Sequence, residues 1–224
     1  WDIFLVSPKT GKVVNLTQTR DIAEMNPAWS PDGRYLAYEV KPKTSAVDEI
    51  DIYDMVMREV KHLTTNTPQD KRNHGLIWSK DGKSIVYTQE QAKGTDSNIF
   101  IADVATGKNT LLTPHDGELQ FRANDVSPDG KRILLTSNSV NGYENLGVLD
   151  LATQKIAWLT HDKWEIRGGE FSPDGRRISF TANVDGNQDI YLHDVASGKS
   201  AVLPIAKGLN EPAGGRLAFS NGED

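Results

Sequence analysis

The chain contains no cysteine, which excludes disulfides, thiolate metal sites and a cysteine nucleophile, yet fits an oxidising compartment as well as a reducing one. It also lacks any apolar run near the ~18 to 20 residues that a membrane-spanning helix requires, so no part is expected to insert into a membrane. Positive charge is in deficit: 25 Lys and Arg stand against 31 Asp and Glu, a formal charge of -6, and the basic residues are scattered. Nucleic acid and anionic lipid are therefore not expected as partners. The 224 residues begin at Trp1 without Met and run at once into the strand-like Asp2-Ile3-Phe4-Leu5-Val6, which reads as a piece of something larger.

What the sequence does have is a repeat. Ser30-Pro31-Asp32-Gly33, Ser79-Lys80-Asp81-Gly82, Ser127-Pro128-Asp129-Gly130 and Ser172-Pro173-Asp174-Gly175 start 49, 48 and 45 residues apart, and a degenerate Ser220-Asn221-Gly222 follows 48 residues after Ser172. An apolar residue precedes each (Trp29, Trp78, Val126, Phe171, Phe219), and the four complete copies lead through Lys or Arg into Leu36-Ala37-Tyr38, Ile85-Val86-Tyr87, Ile133-Leu134-Leu135 and Ile178-Ser179-Phe180. Further on, a polar residue opens another strand: Asp2-Ile3-Phe4, Asp51-Ile52-Tyr53, Asn98-Ile99-Phe100, Asn145-Leu146-Gly147 and Asp189-Ile190-Tyr191 read as equivalents. A turn then leads to Leu16-Thr17, Leu63-Thr64, Leu112-Thr113 and Leu159-Thr160, with Leu203-Pro204 in the last place.

Each unit thus reads as four short strands in an antiparallel meander. The tetrapeptide has a mechanical role: Pro presets φ, the Asp or Ser oxygen accepts from a nearby N–H, and Gly supplies the positive φ that closes the hairpin. Four-stranded sheets at this period predict an all-β chain, a β-propeller, as a single domain over residues 1–224. Its complete blades are expected at about 26–64, 74–113, 123–160 and 167–204, with partial blades at 1–17 and 213–224, the whole forming part of a larger ring.

Aromatic-Ser-Pro-Asp-Gly-basic, then Asp-Ile-Tyr, then Gly-Lys and Leu-Thr, resembles the WD-like propeller repeats of two families: TolB-type periplasmic proteins and the propeller domains of prolyl-oligopeptidase-family serine peptidases. Long units, the charged Lys41 to Glu49 loop, Leu159 to Glu165 and Phe180 to Asn187 are more similar to the peptidases. That resemblance implies a non-catalytic domain that gates peptide access to a covalently linked α/β-hydrolase domain. The alternative is a free-standing TolB-like module that binds a protein or peptide. Both imply a periplasmic or secreted location, and neither implies a cofactor.

Chemistry-bearing patterns are few. No Gly-x-Ser-x-Gly elbow occurs; around Ser172, Glu170 and Asp174 occupy the glycine places. His115-Asp116, His161-Asp162 and His193-Asp194 read as loop or strand-surface polar pairs, since neighbours in a strand point to opposite faces. Ala196-Ser197-Gly198-Lys199-Ser200 lacks the earlier glycine of a phosphate loop and matches the hairpin at Thr106-Gly107-Lys108. Asn183, Asp185, Asn187 and Asp189 offer oxygens of the kind Ca²⁺ accepts, but the Gly is misplaced for an EF-hand and the bidentate Glu is missing, so a polar hairpin loop is the favoured reading. Trp29 and Trp78 are expected in the core between blades, and Trp158 and Trp164 in packing roles. Glu165 and Arg167 open a first strand, where they are placed to read a peptide at the mouth of the ring. Catalytic residues, cofactor sites and a built metal site are not expected, and lyase or hydrolase chemistry within the ring is the weakest reading.

Overall fold

The computed structural model describes residues 1–45, 47–65, 67–205, 208 and 219. Among them the chain is all β, with 18 strands and no helix. The partial blade expected at 213–224, with its Ser220-Asn221-Gly222 turn, lies, apart from residue 219, outside the described residues. Two compact units divide the chain, Trp1–Leu111 and Leu112–Asp224.

The first unit opens with a two-stranded sheet, β1 (Phe4–Val6) and β2 (Val13–Asn15). Two four-stranded antiparallel meanders follow. One is β3 (Ile22–Trp29), β4 (Tyr35–Pro42), β5 (Glu49–Asp54) and β6 (Glu59–His62); the other is β7 (Lys71–Trp78), β8 (Ser84–Gln91), β9 (Ser97–Asp103) and β10 (Asn109–Leu111). The second unit repeats the pattern twice, as β11 (Phe121–Val126), β12 (Arg132–Ser137), β13 (Asn145–Asp150) and β14 (Ile156–Trp158), then β15 (Glu165–Phe171), β16 (Arg177–Val184), β17 (Asn187–Asp194) and β18 (Lys199–Val202).

Burial falls from the middle of each meander to its outer edge. The second strands are buried on both faces, as Leu36, Ala37 and Tyr38 or Ile133, Leu134 and Leu135 show, because sheets stack face to face. The fourth strands β6 and β18 are exposed throughout. Every first strand carries a β-bulge, between Met25 and Ala28, His74 and Ile77, Ala123 and Asp125, and Arg167 and Glu170. Asn26, Gly75 and Gly168 take positive φ there.

The repeated tetrapeptide works as its composition suggests. Ser127 Oγ donates to Asp129 Oδ1 at 2.6 Å and accepts from Arg132 N at 2.9 Å, Lys131 N donates to the same Asp129 oxygen at 3.1 Å, and Gly130 closes the turn at φ 70°. The same bonds recur at Ser30, Ser79 and Ser172. These contacts hold the carboxyls of Asp32, Asp81, Asp129 and Asp174 below the usual range, the serine hydroxyl being the largest cause.

The Leu-Thr pair is a second anchor. Thr64 Oγ1 accepts from Ile50 N at 2.8 Å and Thr160 Oγ1 from Leu146 N at 2.9 Å, as Thr17 Oγ1 does from Ile3 N at 3.1 Å. These bonds correct the reading of Asp51-Ile52-Tyr53: the true equivalent is Glu49-Ile50-Asp51. A slip of two residues keeps every side chain on its face, so alternation alone does not reveal it.

Two further expectations are corrected. Trp78 is buried, stacked on Tyr35 at 6.3 Å and donating from its indole to Ala28 O at 3.0 Å. Trp29, at the same repeat position, is 48% exposed, because its neighbouring sheet has only the strands β1 and β2. His193 is not a surface residue: it is 3% exposed, its Nδ1 is 3.0 Å from Ser200 Oγ, and burial pushes its pKa down. It occupies the register of Tyr53, Ala102 and Leu149, a core position in each meander.

Candidate functional site

In an antiparallel meander the start of the first strand, the loop between second and third strands, and the connector after the fourth all lie at one end. In the second unit that end is built on Asn145, which is fully buried. Its Nδ2 donates to Asn141 Oδ1 at 2.8 Å and Tyr143 O at 3.0 Å, and its Oδ1 accepts from Thr160 Oγ1 at 3.1 Å and Asp162 N at 2.9 Å. Asn141 Nδ2 also reaches Asp162 O at 2.8 Å, and Ile166 N donates to Glu144 O at 3.0 Å. Loop 138–144 and connector 159–164 are thereby locked to each other, the kind of support that holds site residues in place.

Four charges sit on this frame. Arg122 Nη1 pairs with Glu144 Oε1, and Glu165 Oε2 accepts from Glu144 N at 3.2 Å. Burial raises the Glu144 pKa; Arg122 opposes that shift, Glu165 adds to it and Arg167 opposes it. Glu165 and Arg167 are both exposed, flanking Ile166, which is 1% exposed, so alternation sends both charges away from the core. The Arg167 guanidinium has no ion pair among the described residues, and its carbonyl accepts from Thr181 Oγ1 at 3.0 Å. Tyr143 and Trp164, 40% and 37% exposed, directly precede the two glutamates.

The sequence pattern singles out Glu165 and Arg167, and the structure adds Arg122 and Glu144 beside them. A signal for Arg122 exists. His74, Arg122 and Arg167 each stand five residues before the Ser of the following tetrapeptide, just ahead of the bulge. In the first unit that place holds His74, with Nε2 3.6 Å from Glu90 Oε2, while Lys41 Nζ lies 3.5 Å from the buried Asp48.

The remaining sequence candidates resolve into structure. Asn183 pairs with Gln188, Ala182 with Asp189 and Val184 with Asn187, so Asn183 points to the opposite face from Asn187 and Asp189. Asp185 and Gly186, at φ 49° and 80°, form the two-residue turn of the hairpin, and Gly186 N donates to Asn183 Oδ1 at 3.1 Å. The four oxygens are not brought together, and no group of three His, Asp or Glu converges as a metal set among the described residues. Trp158 lies over Gly147, where a Cβ would stand 2.9 Å from its ring. His115 packs on Phe121 at 5.1 Å and His161 is exposed. No helix among the described residues is long and apolar enough to cross a membrane.

The chain is similar to dipeptidyl-peptidase 5 of Porphyromonas gingivalis, 30% identical over 146 residues, covering 59% of this chain and 20% of that protein. It is also similar to the Tol-Pal system protein TolB of Francisella tularensis, 33% identical over 84 residues, or 37% of this chain and 18% of the relative. It therefore spans about a fifth of the length of these curated relatives. Among solved structures, Porphyromonas gingivalis dipeptidyl peptidase 4 superposes with a TM-score of 0.72 at 11% identity over 93% of this chain and 37% of that one, a likeness of fold. Residues 77–222 match the TolB beta propeller domain, and with blades of the kind described above the chain belongs to that family.

Proposed function

We propose that this chain is the non-catalytic propeller domain of a prolyl-oligopeptidase-like serine peptidase, gating peptide access to a separate α/β-hydrolase domain. The observation that carries this reading is the 30% identity to dipeptidyl-peptidase 5, which reaches over more of the chain than the TolB match. The site agrees with it: Glu165 and Arg167 project from a first strand on a locked frame beside the Arg122–Glu144 pair, and the one serine in a Gly-rich setting, Ser172, is spent on its turn. Charges held in this way select among peptides by sign and size without performing chemistry.

The test is peptide cleavage by the full-length parent protein. Glu165→Ala with Arg167→Ala is expected to change the kcat/KM ratio between acidic and basic peptides of equal length while leaving hydrolysis of a dipeptide ester unchanged. Unaltered selectivity, or a parent without a Gly-x-Ser-x-Gly domain, would refute gating. A second reading, a TolB-like module binding a protein or an extended peptide, is favoured by the family match over 77–222. Under that reading the same double substitution weakens capture of a partner instead.

A further inference from the structure

Neighbouring sheets leave a groove between the outer strands of one meander and the following meander, and the repeat makes the grooves comparable position by position. In the first unit one such groove, of about 400 Å³, is lined by Ile52, Asp54, Lys61, Lys83, Val104 and Ala105, among others. It already contains its ligand: the Lys61 ammonium lies along it and donates to Val104 O and, at 2.8 Å, to Ala105 O. The charge also reaches Asp103, whose carboxyl it helps to hold low after the turn hydrogen bonds from Thr106.

The corresponding groove in the second unit is larger, about 560 Å³, and more apolar, with Val148, Leu159, Ile178 and Val195 in its wall. Lys61 pairs with Ile52 and Ala157 with Val148, the same repeat position, so here the lysine is replaced by a methyl group. The carbonyls of Val195 and Ala196, equivalents of Val104 and Ala105, receive no side-chain donor among the described residues. Asp150 stands where Asp54 stood, and Asp194 has the register of Asp103.

We infer that this groove binds a lysine side chain presented by a partner polypeptide, in the pose Lys61 takes in the first unit. The apolar wall takes the four-carbon stem and the two carbonyls take the ammonium, a division of labour that suits an amphipathic side chain. Two cations border the groove without filling this place. Arg132 lies over the Phe171 ring at 5.6 Å, and Lys155 is exposed on the turn. His193, also in the lining, has its pKa pushed down by burial, with Asp194 opposing. A third groove, of about 670 Å³ beside β1 and β2, also lacks the lysine, having Val14 there, but Ser7 replaces the aspartate and Arg58 lines it, so it is unsuited to a cation. This inference is independent of the gating proposal, since the groove uses none of its four residues.

The test is titration of the whole chain with Nα-acetyl-lysinamide and, separately, Nα-acetyl-norleucinamide, reading the Ile178 and Val195 methyl resonances by NMR. The lysine probe is expected to give a saturable shift, and the norleucine probe, lacking the ammonium, to bind about tenfold more weakly or not at all. Ala157→Lys, which supplies the side chain internally, is expected to abolish the response, and Ala157→Met to leave the ammonium preference lost. No saturable shift with the lysine probe, equal binding of both probes, or a full response in a folded Ala157→Lys protein would each overturn the inference.

Discussion

Thr160→Val replaces a hydroxyl by a methyl of nearly the same size in the connector just after β14, so shape alone predicts no loss. The structure predicts otherwise. Thr160 is 6% exposed; its Oγ1 accepts from Leu146 N at 2.9 Å and donates to Asn145 Oδ1 at 3.1 Å. Asn145 keeps the bond from Asp162 N, but the Leu146 N–H, on a residue with no exposure, loses its partner. An unpaired buried donor costs about 1–3 kcal/mol, and the added methyl returns less than about 1 kcal/mol, leaving a net loss of roughly 2 kcal/mol. For a chain of this size that is a fall of about 4–8 °C in Tm. Thermal unfolding followed by circular dichroism measures it, with Thr160→Ser as the control that retains the hydroxyl and most of the stability. If Thr160→Val melts at or above the parent temperature while Thr160→Ser melts below it, the threonine is a packing residue and the anchor argument fails.

Two more predictions concern stability. A Cβ at Gly169, where φ is 148°, would lie 2.7 Å from Leu134 Cδ2 and 3.2 Å from Leu146 Cδ1, whereas at Gly168, φ 65°, it meets nothing within 4 Å. Gly169→Ala should therefore cost roughly 2–4 kcal/mol and Gly168→Ala about 1–2 kcal/mol in urea unfolding; equal losses would show that the close approach of the sheets is unimportant. Acid should destabilise the fold through its turn aspartates. Asp54 is lowered from 3.8 to about 2, chiefly by Arg34 at 2.8 Å, and Asp32, Asp81, Asp129 and Asp174 are also lowered, so their contribution is complete above the ordinary aspartate pKa and disappears as pH falls through the folded values. Asp51 and Glu144, raised mainly by burial, act in the opposite sense, favouring the folded state less as pH rises past their ordinary values. Urea midpoints measured from pH 5 to pH 2 should fall, less steeply in Arg34→Gln; a flat profile would contradict the assignment.

Much of the fold was legible because its signals are local. The tetrapeptide closes a turn with bonds that span five residues, from Ser127 to Arg132, so its chemistry and its spacing can both be read along the chain. The same holds for the Asp185-Gly186 hairpin and for the alternation that sends Glu165 and Arg167 away from the core. Register was less legible: a β-strand repeats every two residues, so Asp51-Ile52-Tyr53 and Glu49-Ile50-Asp51 present the same pattern, and only the hydrogen bond from Ile50 to Thr64 distinguishes them.

The four-stranded meander, its period and its turns were thus determined by the sequence alone, since each depends on contacts between residues near in the chain. Only the tertiary structure decided what lies beside each repeated position. Trp29 and Trp78 share one motif, yet one is half exposed and the other buried, because burial depends on the neighbouring sheet. Arg122 meets Glu144, 22 residues away, and Lys61 reaches carbonyls 43 and 44 residues ahead. The first pairing joins the start of a first strand to the loop before the third strand of the same sheet, and the second crosses to the next sheet; both are long-range events that no local pattern encodes, and both candidate binding places are made of such contacts.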